Sequence, residues 1–243
     1  MTNTVHPELP DTAMVLAAGY GKRLQPLTLT CPKPMVPVAE RPLIDHALER
    51  LTAAGITRVV VNTHYLPEQI EEHLAKRTDL EVVICREEEL LDTGGGVLNA
   101  LAHLGPGPVL VTNSDMIWEN FGSSSLQRLG QAWKPEQMDA LLLVQPVVNA
   151  LGYLGAGDFR LSPGGRLTRR QPGRVTPFLF TGIQLLDPAL FEGMTVEPFS
   201  LNRLYDRAAE NDRLFGIRHD GVWVDVGHPE GLEAAERLLT GQV

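Results

Sequence analysis

The chain is poor in cysteine and lysine, and it contains no long apolar run. Its two cysteines form no CxxC pair, which argues against a disulfide framework and favours the reducing cytoplasm. No apolar stretch reaches the roughly 18 residues that a membrane-spanning helix needs. The N-terminal segment, residues 1–12, is polar and lacks the apolar core of a signal peptide, so we expect a flexible lead-in there. A cytoplasmic protein without a membrane partner is therefore predicted.

Negative charge exceeds positive charge, and the 243 residues carry a net charge of −9. This balance argues against nucleic acid or an anionic membrane as the main partner. An acidic protein that binds phosphates has to concentrate its positive charge locally. Of only four lysines, Lys22 and Lys33 fall in one short segment, although a solvated surface position is the alternative for either. We expect anion binding near this segment, in a monomer or a small homo-oligomer.

The first half of the chain alternates short apolar runs with amphipathic segments. Strands are predicted at 13–18, 58–62, 80–85 and 108–112, and helices at 42–54, 67–76 and 95–104. Repeated strand–helix units with near-continuous apolar strands predict a parallel sheet covered by helices on both faces. Ligands in such sheets bind beyond the carboxyl ends of the strands.

The second half is less regular but continues the same kind of structure. We predict strands at 140–146 and 177–186, a hairpin over 152–168, a helix at 201–210, a late strand pair at 214–218 and 222–225, and a final helix at 229–239. No internal repeat and no linker is visible. The expected architecture is one α/β domain over 13–243, Rossmann-like, with a mixed, mostly parallel central sheet flanked by helices.

A glycine-rich loop follows the first predicted strand and reads Leu16-Ala17-Ala18-Gly19-Tyr20-Gly21-Lys22-Arg23-Leu24. A dinucleotide fingerprint needs a third glycine where Leu24 stands, and a P-loop needs Ser or Thr where Arg23 stands, so both motifs fail. The small residues nevertheless allow backbone N–H groups to approach an anion closely. Lys22 and Arg23 add positive charge, and Arg23 can bind two phosphate oxygens at once. For the two glycines alone, a plain turn with incidental charge is the alternative.

Downstream of this loop, Pro32 and Pro34 flank Lys33 and stiffen the backbone that presents its ammonium group. The ordered string LAAGYGKRLQPLT…PKP resembles the signature of the sugar-nucleotide pyrophosphorylases, the nucleotidyltransferases that form NDP-sugars. The resemblance extends from residue 13 to about residue 239. It implies a mixed, Rossmann-like sheet with a nucleotide-binding half, 13–115, and a sugar-phosphate-binding half, 116–243.

The resemblance implies a reaction in which a sugar 1-phosphate oxygen attacks the α-phosphorus of a nucleoside triphosphate and pyrophosphate leaves. No covalent intermediate and no general base are expected, because a sugar phosphate is already anionic. The residues from Leu16 to Arg23 would hold the triphosphate through Leu16, Ala17, Ala18, Gly19, Gly21, Lys22 and Arg23. Lys33 would contact the phosphates at the reacting centre, which makes Arg23 and Lys33 the candidate catalytic residues.

Two aspartates at strand ends are candidate magnesium ligands, since Mg²⁺ uses one or two carboxylates plus substrate phosphates. Asp115 follows the apolar run 108–112, and Asp225 ends the string WVD. Corresponding aspartates hold the ion in the family that the chain resembles. A glycine usually precedes the first of them, whereas Ser114 stands here. For Asp115 alone, a capping or turn role is the alternative.

A short glycine run before a predicted helix, Asp92-Thr93-Gly94-Gly95-Gly96, is the candidate base pocket. A simple N-cap with flexible glycines is the alternative. The resemblance implies that Thr93 and Gly94 contact the base, with backbone N–H groups at the helix start as donors. Asn62 and Asn113 are further candidate contacts of the base or ribose.

Three residues of the second half are candidate sugar-phosphate contacts: Asn149, Asp158 in the string GDF, and Gly182 in the string FTGI. They resemble a pattern in the small uridylyltransferases that act on N-acetylmuramic acid 1-phosphate. Many larger relatives have a lysine in a V-E-K-P string that holds the sugar phosphate. Here the equivalent residues are Arg169-Arg170-Gln171-Pro172, so either arginine could replace that lysine, or neither could reach.

These features predict a magnesium-dependent sugar-1-phosphate nucleotidyltransferase. A uridylyltransferase that joins UTP to N-acetylmuramic acid 1-phosphate in cell-wall recycling is the first interpretation. A mannose-1-phosphate guanylyltransferase that uses GTP is the alternative. A catalytically inactive nucleotide-binding regulatory subunit is the alternative from another class.

Overall fold

The computed structural model describes residues 9–241. The predicted flexible lead-in, 1–12, falls mainly on residues 1–8, which lie outside the described range, and it stays a prediction. The strands are β1 Thr12–Leu16, β2 Pro37–Val38, β3 Arg41–Pro42, β4 Arg58–Thr63, β5 Glu81–Arg86, β6 Val109–Asn113, β7 Met116–Asn120, β8 Ala140–Pro146, β9 Ala150–Leu151, β10 Phe159–Leu161, β11 Leu167–Arg169, β12 Phe178–Leu186, β13 Leu214–Arg218 and β14 Gly221–Asp225. The helices are α1 Leu43–Ala53, α2 Pro67–Leu74, α3 Asp92–Ala100, α4 Ser125–Ala132, α5 Asn202–Glu210 and α6 Pro229–Thr240.

The central sheet is mixed and has the strand order β11-β10-β12-β6-β1-β4-β5, with β8 also paired to β12 and β13 paired to β8. Strands β6, β1, β4 and β5 are parallel to one another. Strand β12 is antiparallel to β6, β8 and β10. The predicted α/β fold, with a mixed sheet between helices, is confirmed.

The continuous apolar character of the central strands follows from burial on both faces of the sheet. In β1, Ala13 and Val15 belong to one apolar cluster, whereas Met14 belongs to another. The first cluster contains the apolar faces of α1, α2 and α4, and the second contains those of α3 and α5. Because alternate side chains of a strand point to opposite faces, a strand covered on both faces needs apolar residues throughout.

The predicted late strand pair is wrong, because β13 and β14 do not pair with each other. β13 lies parallel to β8 in the central sheet. β14 instead joins a separate three-stranded sheet, antiparallel to β7 and parallel to β9. Apolar patterning predicts that a strand exists but does not reveal its partner. The pairing matters for the site, since it brings Asp225 directly beside Met116, the residue that follows Asp115.

Two predicted elements differ in their bounds. The helix predicted over 95–104 begins at Asp92, so the glycine run forms its first turn instead of preceding it. The hairpin predicted over 152–168 is a short pair of β10 and β11, while Ala150–Leu151 pairs with β14. Both differences arise because glycine-rich stretches carry no apolar period from which a boundary can be inferred. Among residues 9–241, no helix combines the length and the apolar character that crossing a membrane requires.

His219, which lies just before β14, is the most deeply buried histidine of the described chain, with 1% of its surface exposed. Its Nε2 lies 3.1 Å from the Val222 carbonyl oxygen, which can only accept, so Nε2 carries the proton. Nδ1 then accepts from the Ser125 hydroxyl at 2.7 Å. Burial lowers the pKa of His219 below the ordinary imidazole value, since the charged form loses its hydration.

The depressed pKa of His219 predicts a loss of stability in acid. Because the unfolded chain binds the proton more readily than the folded chain, His219 stabilises the fold above the unfolded pKa of about 6.5. That contribution disappears as the pH falls below this value. Urea unfolding at about pH 7.5 and about pH 5.5 should therefore give a smaller loss of stability for His219→Gln than for the unaltered protein. His103→Gln, which alters an exposed histidine, is the control. An identical pH dependence in the His219 variant would contradict the prediction.

Candidate active site

A cavity of about 390 Å³ opens where the carboxyl ends of β1, β4 and β6 meet the start of α3. This is the edge of the sheet at which ligand binding is expected. The sequence-predicted residues that line it are Leu16, Ala17, Ala18, Gly19, Gly21, Lys22, Arg23, Lys33, Asn62, Thr93, Asn113 and Asp115. Gly94, Asn149, Asp158, Gly182 and Asp225 are not among its lining residues. The cavity therefore brings together the loop after β1, the end of β6 and the first turn of α3.

The glycine-rich loop is packed tightly against the segment that carries Lys33. Gly21 has a φ of +61°, and a Cβ there would lie 2.9 Å from Lys33 Cβ and 3.0 Å from Thr28 Cγ2. The Thr28 hydroxyl donates to the Gly21 carbonyl at 2.9 Å. Only glycine satisfies both the left-handed backbone and this close approach. The loop and Lys33 are thus held as one unit.

Asn62 fixes the start of this loop to the neighbouring strand. Its Oδ1 accepts from the Ala17 N–H at 2.9 Å, and its Nδ2 donates to Glu87 Oε1 at 2.7 Å. A Cβ at Gly96 would lie 2.7 Å from that Nδ2, so this glycine leaves room for the amide. Asn62 lines the cavity, and one donor of its amide nitrogen and one lone pair of its oxygen are used within the protein.

The centre of the site is an ion pair between the two most prominent predicted residues. Lys33 Nζ lies 2.5 Å from Asp115 Oδ2, and the two side chains are only 10% and 31% exposed. Ser114 anchors the backbone beside them, because its hydroxyl donates to the Leu16 carbonyl at 2.7 Å. The residue that stands where the family usually has glycine therefore ties the end of β6 to the end of β1.

Arg23 and Asp225 meet at Gly227. Asp225 Oδ1 accepts from the Gly227 N–H at 2.9 Å. A Cβ at Gly227 would lie 2.6 Å from Arg23 Nη2 and 2.7 Å from Asp225 Oδ1. Gly227 itself lines the cavity, so Asp225 lies just behind the lining. Arg23 forms no ion pair with any other described residue, which leaves its guanidinium available to a bound anion.

Few side chains near the cavity could act as ligands of a metal ion. Within the described part of the chain, no group of three or more His, Cys, Asp or Glu side chains is arranged to hold one. Two carboxylates, Asp115 and Asp225, remain at the ends of neighbouring elements. This sparse set suits Mg²⁺, which keeps few protein ligands and completes its coordination with phosphates and water.

The cysteine nearest the site has no features of a nucleophile. Cys31 is half-buried, with its Sγ 3.6 Å from the Pro32 carbonyl oxygen. Burial raises the pKa of its thiol, so the thiolate is disfavoured near neutral pH. Nothing around Cys31 therefore supports a covalent intermediate on this residue.

The glycines at the start of α3 are explained by packing, whereas the sequence predicts a contact of Gly94 with the base. The Gly94 N–H donates to the Phe199 carbonyl at 2.8 Å and is not available to a base. A Cβ on Gly94 would overlap the Phe199 ring, and one on Gly95 would overlap the Glu197 carbonyl oxygen. Thr93 does line the cavity, while its hydroxyl accepts from the Leu201 N–H at 3.0 Å.

The sugar-side candidates divide by their position. Gly182 has a φ of +89° in a bulge of β12, where a Cβ would lie 2.9 Å from Asn113 Nδ2. Asp158 accepts from the Phe180 N–H at 2.9 Å and so helps to shape the same end of β12. Asn149 is exposed and away from the cavity lining. Gly182 is thus the candidate that adjoins the cavity.

The arginines in place of the family lysine have partners elsewhere. Arg169 forms an ion pair with Asp206 on α5 at 2.8 Å. Arg170 donates to the carbonyls of Gly157 and Arg174, and neither arginine lines the cavity.

The sequence did not indicate four further residues of the lining as ligand contacts: Pro34, Leu90, Ser114 and Gly227. Gly227 could have been found, since it lies only two residues after Asp225, which ends the string WVD. Leu90 carries no signal, because it approaches the cavity only through the turn that precedes α3.

The family model and two similar relatives agree in naming a nucleotidyl transferase. The nucleotidyl transferase family matches residues 12–156. The N-acetylmuramate alpha-1-phosphate uridylyltransferase of Caulobacter vibrioides is 40% identical over 237 residues, 96% of this chain and 98% of the relative. The protein of the same name from Neisseria meningitidis is 34% identical, over 93% and 97% of the two chains.

More distant relatives have names that specify other substrates. The mannose-1-phosphate guanylyltransferase catalytic subunit beta of Drosophila pseudoobscura is 29% identical, and the match covers 90% of this chain but 59% of that protein. Among solved structures, UDP-glucose pyrophosphorylase complexed with UDP-glucose has a TM-score of 0.78 at 20% identity, over 97% of this chain and all of that one. At this identity the structural similarity bears on the fold alone.

The packing of Gly94 against Phe199 predicts that a larger residue at this position destabilises the fold. Gly94→Ala should lower the free energy of unfolding by about 1–3 kcal/mol, because the added methyl group has to displace Phe199. Gly19→Ala is the matched control, since no atom lies within 4 Å of its added Cβ. Chemical denaturation measures both, and equal stability of the two variants would show that Phe199 yields without cost.

Proposed function

The chain belongs to the nucleotidyl transferase family, and we propose that it transfers the uridylyl group of UTP to N-acetylmuramic acid α-1-phosphate. The products are the UDP-sugar and pyrophosphate. The observation that carries this proposal is the 40% identity to a uridylyltransferase of that name over nearly the whole of both chains. The cavity supports it, because the loop after β1 and the Lys33–Asp115 pair occupy the edge of the sheet where a nucleotide would bind.

In the proposed reaction the protein acts through position and charge. The backbone of residues 17–21 surrounds the phosphates, and Arg23 supplies two parallel donors to their oxygens. Lys33 places a fixed ammonium beside the α-phosphorus, where charge develops as the sugar phosphate attacks in line. The attacking oxygen needs no proton removed, because the phosphate is ionised at neutral pH.

Magnesium is part of the proposal. Asp115 and Asp225 are the residues that would hold it, and a bound Mg²⁺ would neutralise charge on the α- and β-phosphates. Lys33 already neutralises Asp115, so the ion and the triphosphate would exchange partners with this pair.

Cellular context is also proposed. N-acetylmuramate is a cell-wall sugar acid, so its activation suits cell-wall recycling. The two cysteines, Cys31 and Cys85, are free, as expected for a cytoplasmic protein.

The proposed activity is tested by combining UTP, GTP, CTP, ATP and dTTP with several sugar 1-phosphates and measuring pyrophosphate release. We expect the highest kcat/KM with UTP and N-acetylmuramic acid 1-phosphate. Preference for GTP and mannose 1-phosphate would replace the proposal with the guanylyltransferase. Nucleotide binding without turnover of any pair would favour the regulatory subunit.

Lys33→Ala should reduce turnover by orders of magnitude, because it removes a charge at the reacting centre. Lys76→Ala, at an exposed position, is the control and should leave it unchanged.

The proposed magnesium site predicts that Asp225→Asn raises the Mg²⁺ concentration needed for half-maximal activity. An increase of at least about tenfold is expected, since even outer-shell changes have effects of this size. Asp220→Asn, which removes an exposed carboxylate at the other end of β14, is the control. Calorimetric titration of Mg²⁺ with UTP present should give the same order of affinities. An unchanged magnesium requirement in Asp225→Asn would remove this residue from the site.

A further inference from the structure

A short loop connects the predicted magnesium carboxylate with an arginine on the sugar side. We call residues 152–157 the bridging loop. At its start, a Cβ on Gly152 would lie 3.0 Å from the Asp225 carbonyl oxygen. Within it, the Tyr153 hydroxyl accepts from the Gly157 N–H at 3.0 Å. At its end, the Gly157 carbonyl accepts from Arg170 Nε at 2.8 Å.

The bridging loop lies at the same edge of the sheet as the cavity. Strand β12 is antiparallel to β6, with Ile183 opposite Thr112, so residues 178–181 extend past the carboxyl end of β6. The loop is attached to this extension, because the Thr176 N–H donates to the Ala156 carbonyl at 2.8 Å. The pKa of Tyr153 is influenced by charged groups at both ends of the bridging loop. Burial is the main cause that raises its pKa, Asp158 and Asp225 raise it further, and Arg170 lowers it.

Arg170 differs from most arginines of this acidic chain. The majority form ion pairs with Asp or Glu, whereas Arg170 forms none with the residues that the structure describes. Two backbone carbonyls, of Gly157 and Arg174, orient its guanidinium instead. A guanidinium has five N–H donors and stays charged, so donors of Arg170 remain for an anion.

Apolar side chains lie on the two segments that hold Arg170. Leu154 of the bridging loop is 81% exposed, and Val175, next to Arg174, is 75% exposed. An oriented cation flanked by exposed apolar groups suits a ligand that carries a carboxylate beside a methyl group. N-acetylmuramic acid has this combination in its lactyl ether, the group that distinguishes it from N-acetylglucosamine.

We propose that Arg170 binds the lactyl carboxylate of the acceptor sugar and thereby selects N-acetylmuramic acid 1-phosphate over uncharged sugar phosphates. The inference rests on the proposed function and adds a specificity-determining residue to it. Leu154 and Val175 contact the lactyl methyl group. The acceptor is then held by its phosphate at the cavity and by its carboxylate at the far end of the bridging loop.

The experiment compares N-acetylmuramic acid 1-phosphate with its analogue in which the lactyl carboxylate is a carboxamide. The two acceptors have nearly the same shape and differ in one charge. The unaltered enzyme should prefer the acid by roughly ten- to a hundredfold in kcat/KM, the range expected for a charge-assisted hydrogen bond. Arg170→Gln should lower kcat/KM for the acid to the value for the amide, mainly through KM. Arg160→Gln, which removes an exposed arginine of β10 that forms no ion pair within residues 9–241, should keep the full preference.

The outcomes separate the inference from the function on which it rests. Equal use of acid and amide by the unaltered enzyme would overturn the role of the carboxylate. Retention of the preference in Arg170→Gln would overturn the role of this arginine, as would an equal loss for both acceptors. If the unaltered enzyme uses neither muramic acceptor but uses another sugar 1-phosphate, the proposed function itself fails.

Discussion

The half-buried ion pair of Lys33 and Asp115 is the constraint around which the site is built. Two charges with little access to water need each other, and removing one leaves the other uncompensated. The surrounding structure accordingly fixes both ends. Gly21 allows the phosphate loop to lie against Lys33, and the Ser114 hydroxyl ties the strand before Asp115 to the strand before that loop. In the proposed reaction, phosphate oxygens would become the partners of Lys33, and Asp115 would be one of the carboxylates that hold a bound Mg²⁺.

The local parts of this arrangement could be predicted from the sequence. The residues from Leu16 to Lys33 are close together in the sequence, so the spacing of their small and basic side chains can be read directly. The apolar strand before them indicates where the loop begins. The strand ends at Asp115 and Asp225 could be located in the same way. The direct pairing of Lys33 with Asp115 could not, because it depends on side-chain geometry across 82 positions of sequence.

The role of a residue is harder to predict from the sequence when its partner lies far away along the chain. The glycines at 94 and 95 suggested an open backbone, but their small size accommodates Phe199 and Glu197 from a remote segment. The apolar pattern predicts a strand at 222–225 beside the strand at 214–218, yet β14 pairs with β7 and β9. In each case the residue types are visible in the sequence, but the residues or strands that they contact in space are not. Neither the composition nor the apolar periodicity identifies such long-range contacts.

The pairing of β14 with β7 also has a consequence for synthesis. Asp225 reaches the site only when β14 adds to a strand that left the ribosome about a hundred residues earlier. A growing chain can form its phosphate loop and the Lys33–Asp115 pair well before the second carboxylate exists. Closing such a long loop carries an entropic cost that the β7–β14 ladder and the helix after it must offset. The last quarter of the chain thus supplies the second of the two carboxylates proposed to hold magnesium.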